Sequence, residues 1–189
     1  MSTVLATAPA LEPVTLAEVK SQRNITDLDH DIELTRLIKP ARQYVENYTG
    51  RALITQTWDL FLDEFPRQIE IPYPKLQSVT TVKYTDTSGV QQTLSDTLYT
   101  VNTNAEPGFI VPAYLEDWPD IRLVPDAVEV RFVCGYGTAT TDIPEDLRHA
   151  IFLLIATWSE NTEDVQPFNL NSIPFGVKAL LDPHRLFRI

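Results

Sequence analysis

Apolar and polar positions follow their clearest rhythm in Ala127–Glu160. Val128, Val130, Phe132 and Cys134 alternate with Glu129, Arg131 and Val133, the period of two expected of a half-buried strand. Gly135 and Gly137 end that strand, and a Thr-rich turn follows. Asp142, two residues before Pro144, is placed to cap a helix, and Glu145 and Asp146 put negative charge in its first turn, where the helix dipole favours it. Leu147, Ala150, Ile151, Leu154 and Trp158 then recur at helical spacing, while Phe152, Leu153 and Ile155 form a second apolar side. A helix apolar on two sides has to be covered on both, by its own chain or by another copy. The pattern predicts a strand, a glycine turn and the central helix of the fold.

Upstream, residues 1–13 are small, apolar and Pro-containing, and read as a flexible arm. Thr15 and Glu18 make a capping box that opens a short helix to about Arg23. Thr26, Asp27 or Asp29 is expected to cap a second helix with Leu34, Leu37, Ile38, Ala41, Val45 and Tyr48 on one face, ended by Gly50. Pro40 lies inside it and is expected to kink it. From about Thr55 the period changes to two. Thr57–Leu62, Gln68–Ile71, Ser78–Thr85, Val90–Leu94, Tyr99–Val101 and Phe109–Val111 are short, β-prone runs, with Asp86–Gly89 as a hairpin turn. Past the central helix, a polar link over residues 161–171 leads to one or two helical turns before Pro183. The expected fold class is α+β: a small bundle of three to four helices (residues 14–54 and 138–170), an antiparallel β insertion (55–137) and an extended C-terminal tail (171–189).

Composition narrows the classes of function. The 189 residues are 43% hydrophobic, enough for a core, and carry a net charge of −11. Between Trp58 and Val130, twelve acidic residues stand against Arg67, Lys75, Lys83 and Arg122, so most of the imbalance sits in the β insertion. Tight nucleic-acid binding needs neutralised phosphates and is disfavoured. The lone cysteine, Cys134, forms no internal disulfide and fits a reducing compartment. The N-terminus shows no secretory signal pattern, and the longest apolar run, Ala150–Thr157, is too short to span a bilayer.

Catalytic chemistry finds little support. Cys134 with His149 or His184 is conceivable as a thiol and its base, but a small buried cysteine on the inner strand face is the plainer reading. The three histidines (His30, His149 and His184) lack metal-ligand spacing. Gly135-Tyr136-Gly137 lacks the longer glycine pattern and the Lys of a phosphate loop. Asp27, Asp29, Asp31 and Glu33 alternate without the Gly and terminal Glu of an EF-hand, so helix capping accounts for them better than calcium. No cofactor and no metal are expected. Trp58, Trp118 and Trp158 are expected as core or interface anchors.

Taken in order, the pieces resemble the head–tail connector (adaptor) proteins of tailed phages and gene transfer agents, the family around the HK97-type connector. The resemblance runs from about Val14 to Ile189. It rests on TLAEVK, on YVENYTGRALITQTW, on IPYPKLQSVTTVKYTD, on VRFVCGYG with DIPEDLRHAI, and on IPFGVKALLDPHR. It implies a non-enzymatic virion protein at the head–tail junction, assembled in the host cytoplasm. Such a protein forms a ring, usually twelve-fold, beneath the portal, where it extends the DNA channel and meets the next connector or tail protein. Duplex DNA would pass without specific binding, and an acidic insertion suits that.

The resemblance also implies a C-terminal segment that engages the portal, with Phe175, Leu180, Leu181, Arg185, Phe187, Arg188 and Ile189 as anchors. Phe152, Leu153 and Ile155 become candidates for contact between ring subunits. Deleting residues 174–189 is then expected to leave a folded protein that no longer joins portal-bearing capsids. Two other readings of the residues stay open: a β-type binding module at a tail or host surface, and a Cys134-dependent hydrolase.

Overall fold

A computed structural model of the chain describes residues 1–160 and 175–186. Contacts divide the chain into a β unit (1–10 and 55–136) and a helical unit (11–54 and 137–189). The fold is α+β.

The β unit holds β1 (Ser2–Thr7), β2 (Gln56–Leu62), β3 (Ile69–Glu70), β4 (Leu76–Thr85), β5 (Gln91–Thr93), β6 (Tyr99–Asn102), β7 (Phe109–Pro112) and β8 (Val128–Cys134). Five strands form an antiparallel sheet in the order β1-β2-β8-β4-β5, and three form a second in the order β3-β7-β6. Residues 1–13 are therefore no free arm. Ser2–Thr7 pairs with Phe61 back to Thr57, and a run of Thr, Val and Leu suits that extended pairing.

β8 sits in the middle of the larger sheet. Val130 faces Leu60 on one side and Val82 on the other, and all three are fully buried. Opposed residues share a sheet face, so the alternation along β8 dictates that of its neighbours. Val128, Val130, Phe132 and Cys134 all fall on the core side, as the sequence period requires. The opposite face carries charge in cross-strand pairs. Arg131 Nε and Nη2 donate to the two Asp59 carboxylate oxygens at 2.7 and 2.8 Å, and Lys83 Nζ donates to Glu129 at 3.2 Å. The Arg131 hydrogen bonds hold the Asp59 carboxyl below its ordinary range.

The β4–β5 hairpin turns on one carboxylate. Asp86 Oδ1 accepts from Ser88 Oγ at 2.5 Å and from the amides of Ser88 and Val90 at 2.9 Å, while Oδ2 accepts from Gln92 Nε2 at 2.9 Å. Gly89 supplies the positive φ of +89° that the turn needs. The Ser88 hydroxyl, followed by the Gln92 amide, draws the Asp86 pKa down to about 2.

The helical unit holds α1 (Leu16–Gln22), α2 (Asp31–Thr49), α3 (Glu145–Glu160) and α4 (Phe175–Leu181). The Thr15–Glu18 capping box forms as expected: Thr15 N donates to Glu18 at 2.7 Å, and Glu18 N donates to Thr15 Oγ1 at 3.2 Å. α2 starts later than expected, with His30 as its N-cap and no side-chain cap bond. Asp27 is engaged elsewhere, accepting from Asp29 N at 3.2 Å and pairing with the His30 ring. Pro40 lies on the exposed side of a helix that continues through it to Gly50, whose φ of +71° ends it.

Asp142 does not cap α3. It belongs to a single 3-10 turn, Thr140–Asp142, and accepts from Ala139 N at 2.9 Å. A Cβ on Gly137 would lie 2.1 Å from the same carboxylate, and Gly135 has φ +126°, so both glycines are dictated by the backbone path.

The unstructured residues Leu11–Thr15 are fixed by two buried arginines. Arg42 donates to Glu12 at 2.7 Å and to Glu46 at 2.6 Å. Arg148 reaches the Pro13 carbonyl at 3.2 Å, Glu145 at 2.9 Å and Glu18 at 2.6 Å. Only 5% and 8% of these two residues is exposed.

Two expectations follow from this architecture. Arg148→Leu keeps much of the apolar stem but strands the Pro13 carbonyl, while Glu18 and Glu145 resolvate; the loss should be about 2 kcal/mol. Urea unfolding measures it, and an unchanged midpoint would refute the role given to Arg148. The depressed Asp86 pKa means its contribution is complete above the unfolded value of 3.8 and is lost as pH falls through about 2. The Ser88 and Val90 amide signals should report that loss, and in Asp86→Asn they should not titrate in this window.

Candidate assembly surfaces

The helical unit explains why α3 is apolar on two sides. Leu147, Ala150, Ile151, Leu154 and Ile155 are buried. α4 packs along the helix, with Gly176 lying where a Cβ would meet Leu153 Cδ1 at 3.9 Å. Val177 and Leu181 of α4 have no exposed surface. The second side of α3 is therefore covered in part within the chain: Ile155 is fully buried and unavailable to another subunit, and Leu153 and Phe152 are half-buried.

The expected portal anchors separate in the same way. Phe175 is 87% exposed, and Arg185 is exposed with its guanidinium 5.4 Å from the Tyr48 ring centre. Leu180 is half-buried, and Leu181 is sealed in the unit. Phe187, Arg188 and Ile189 lie outside the described residues. The segment before them is not a loose tail. Leu186 N donates to Thr49 O at 2.9 Å, Arg51 Nε to His184 O at 2.6 Å, and His184 Nε2 lies 2.5 Å from Asp146.

Three exposed features carried little signal in the sequence. On the β unit, Tyr114, Leu115 and Leu123 are 90%, 87% and 80% exposed. They are isolated apolar residues in an acidic, Pro-rich stretch, where periodicity has nothing to act on. On the helical unit, Leu28 and Ile32 stand out at the start of α2. Residues including Leu11, Val14, Leu16 and Ile38 also line an apolar groove of about 470 Å³ there.

The candidates for chemistry resolve into structure. Cys134 is fully buried, with Sγ 3.9 Å from the Gln56 carbonyl. The acidic alternation near α2 is used in pairing, with Lys20 Nζ 2.5 Å from both Asp31 Oδ1 and the Asp27 carbonyl. Among the described residues no group of three His, Cys, Asp or Glu side chains is placed to hold a metal. The tryptophans are half-buried anchors: Trp58 lies against Tyr73 at 4.5 Å, Trp118 stacks on Phe65 at 4.7 Å, and Trp158 meets Tyr44 edge-on at 6.2 Å.

Residues 12–187 match the family described as head completion protein. The chain belongs to that family. No curated protein matches it. Its fold is similar to that of a chain in the neck of an empty GTA particle computed with C6 symmetry, with a TM-score of 0.80 and 24% identity. It is similar also to a chain in the virion of a native gene transfer agent particle, at 0.79 and 25%, and to one in the native GTA neck computed with C12 symmetry, at 0.74 and 24%. Each likeness covers 100% of this chain and 97% of the other. The connector resemblance read from the sequence and the head completion family agree.

Within this head completion protein, burial of α4 revises the expected effect of truncation. Removing residues 174–189 strips Val177 and Leu181 from the core, at roughly 1.5–3 kcal/mol each. The truncated chain should unfold at distinctly lower urea concentration than the full one. Equal midpoints for the two would contradict the packing described for α4.

Proposed function

We propose that this head completion protein is a structural adaptor that forms a ring beneath the portal of a tailed phage or gene transfer agent. There it extends the DNA channel and joins the capsid to the next connector or tail protein. The observation that carries the reading is coverage: the family match spans nearly the whole chain, and the likeness to chains in GTA neck structures spans all of it. A non-enzymatic role accords with Cys134, the one thiol, being locked in the sheet core.

Charge supports a channel through which DNA moves unhindered. Asp63, Glu64, Glu70, Asp96, Glu106, Glu116, Asp117, Asp120 and Asp126 are all exposed on the β unit. Such a surface repels phosphate instead of gripping it.

For the portal contact, the available anchors are Phe175 and Arg185, with Leu180 at the margin and Phe187, Arg188 and Ile189 beyond the described residues. Leu181 supports α4 from within and does not itself dock. For contact between subunits, Phe152 and Leu153 offer only a half-buried edge.

The double variant Phe175→Asp, Arg185→Glu tests the docking face, because neither side chain belongs to the core. It should remain folded by circular dichroism and bind portal-bearing capsids at least tenfold more weakly in co-sedimentation. Undiminished binding would exclude this face as the portal contact. Electron microscopy of the wild-type chain on the same capsids should show a closed ring at the portal vertex.

A further inference from the structure

Residues 113–127 connect β7 to β8 without regular structure, a length at which loops are usually functional. This one is firmly anchored. Ala113 N donates to Leu98 O at 3.0 Å, Trp118 Nε1 to Pro66 O at 2.8 Å, Arg122 N to Thr85 O at 3.0 Å, and Asp126 N to Asp63 Oδ1 at 2.9 Å. The stacked Trp118 and Phe65 rings brace its middle. Between these fixed points the chain lifts Tyr114 and Leu115 into solvent, with 90% and 87% of each residue exposed. Leu115 has φ +67°, a left-handed conformation that a leucine adopts only when its surroundings impose it. An anchored, strained loop that displays two large apolar side chains is pre-organised to insert them somewhere.

The helical unit carries an open apolar groove. Its volume is about 470 Å³, and Leu11, Val14, Leu16 and Ile38 are among the residues that line it. Two charged residues line it. Glu12 is engaged by Arg42 at 2.7 Å, whereas Lys39 is exposed. The loop tip has the opposite sign, since Glu116 and Asp117 follow Leu115 directly and are exposed.

We propose that the Tyr114–Leu115 tip of one copy inserts into this groove on the helical unit of the neighbouring copy, with Lys39 facing Glu116 and Asp117. The inference rests on the ring reading and specifies one of its subunit contacts. A knob and a hole at different places on identical chains make a head-to-tail contact, the type that closes into a ring when the rotation allows. A second copy is favoured over another partner because this chain itself supplies the complementary apolar and charged surfaces.

Paired cysteines test it in the full-length chain. Thr35→Cys lies in the groove lining and Leu115→Cys at the tip, and the native Cys134, with no exposed surface, stays silent. Rings of the double variant, assembled at high concentration and oxidised, should run as a ladder of covalent oligomers on denaturing gels, and neither single variant should give one. A companion pair guards against disruption by the cysteines. Lys39→Glu should abolish ring formation, and Glu116→Lys with Asp117→Lys should restore it in the same chain. Intact rings without a ladder and without this charge rescue would overturn the contact while leaving the ring reading in place. A cross-link confined to single chains would overturn it too. Failure of the unmodified chain to form rings, both alone and on portal-bearing capsids, would remove the ring reading and the contact with it.

Discussion

Two buried guanidinium groups fix the part of the helical unit that has no hydrogen-bonding ladder of its own. Leu11–Thr15 follows β1 and precedes α1 without regular structure, so its backbone needs partners from elsewhere. Arg42, from α2, holds Glu12, and Arg148, from α3, holds the Pro13 carbonyl together with Glu18 of the capping box. Three elements and one irregular segment thus share two cations. Arginine suits this task because its planar fork serves several acceptors at once, which a lysine ammonium would not do with the same geometry. Both arginines are nearly inaccessible, yet every carboxylate that pairs with them keeps some contact with water. The desolvation penalty therefore falls mainly on the guanidinium side, where the charge is already delocalised.

The same economy of charge runs through the β unit. Its sheet turns an apolar face inward and pairs Asp59 with Arg131 and Glu129 with Lys83 on the other. Those pairs use two of the few basic residues in this part of the chain. Most of the remaining carboxylates stand in solvent. The acidic surface is therefore the excess of exposed carboxylates over the few cations, and it stays negative for any polyanion that comes near.

Regular elements were legible in the sequence where one physical rule decided them. The alternation in β8 fixed which side chains enter the core, and the Thr15–Glu18 box fixed the start of α1. The short strands of the insertion appeared where β-branched runs lie between turn residues, and Gly50 ended α2 through its positive φ. What escaped detection depended on partners that the local pattern does not name, whether distant in sequence or in the next turn. Ser2–Thr7 is a strand only because Gln56–Leu62 offers an edge, and its small residues looked like an arm in isolation. Asp142 had the composition of a cap but is held by the turn around Gly137. The candidate site was less legible still. The second apolar side of α3 calls for cover by its own chain or by another copy, and α4 supplies much of that cover, so Leu181 and Ile155 lie in the core.

That displacement bears on how an assembly protein can be built from so small a chain. Apolar residues at helical spacing serve the core first, because their burial stabilises the subunit before any partner arrives. Surfaces kept for assembly then have to come from residues that the regular pattern does not bury. Tyr114 and Leu115 project from a braced loop, and Phe175 stands at the first position of α4 while Val177 and Leu181 turn inward. In each case neighbouring residues hold the backbone, so an exposed side chain can be exchanged for another partner's needs without disturbing the core. On the proposed reading, folding and docking fall to different residues of the same elements, and substitutions at the two sets should be separable by experiment.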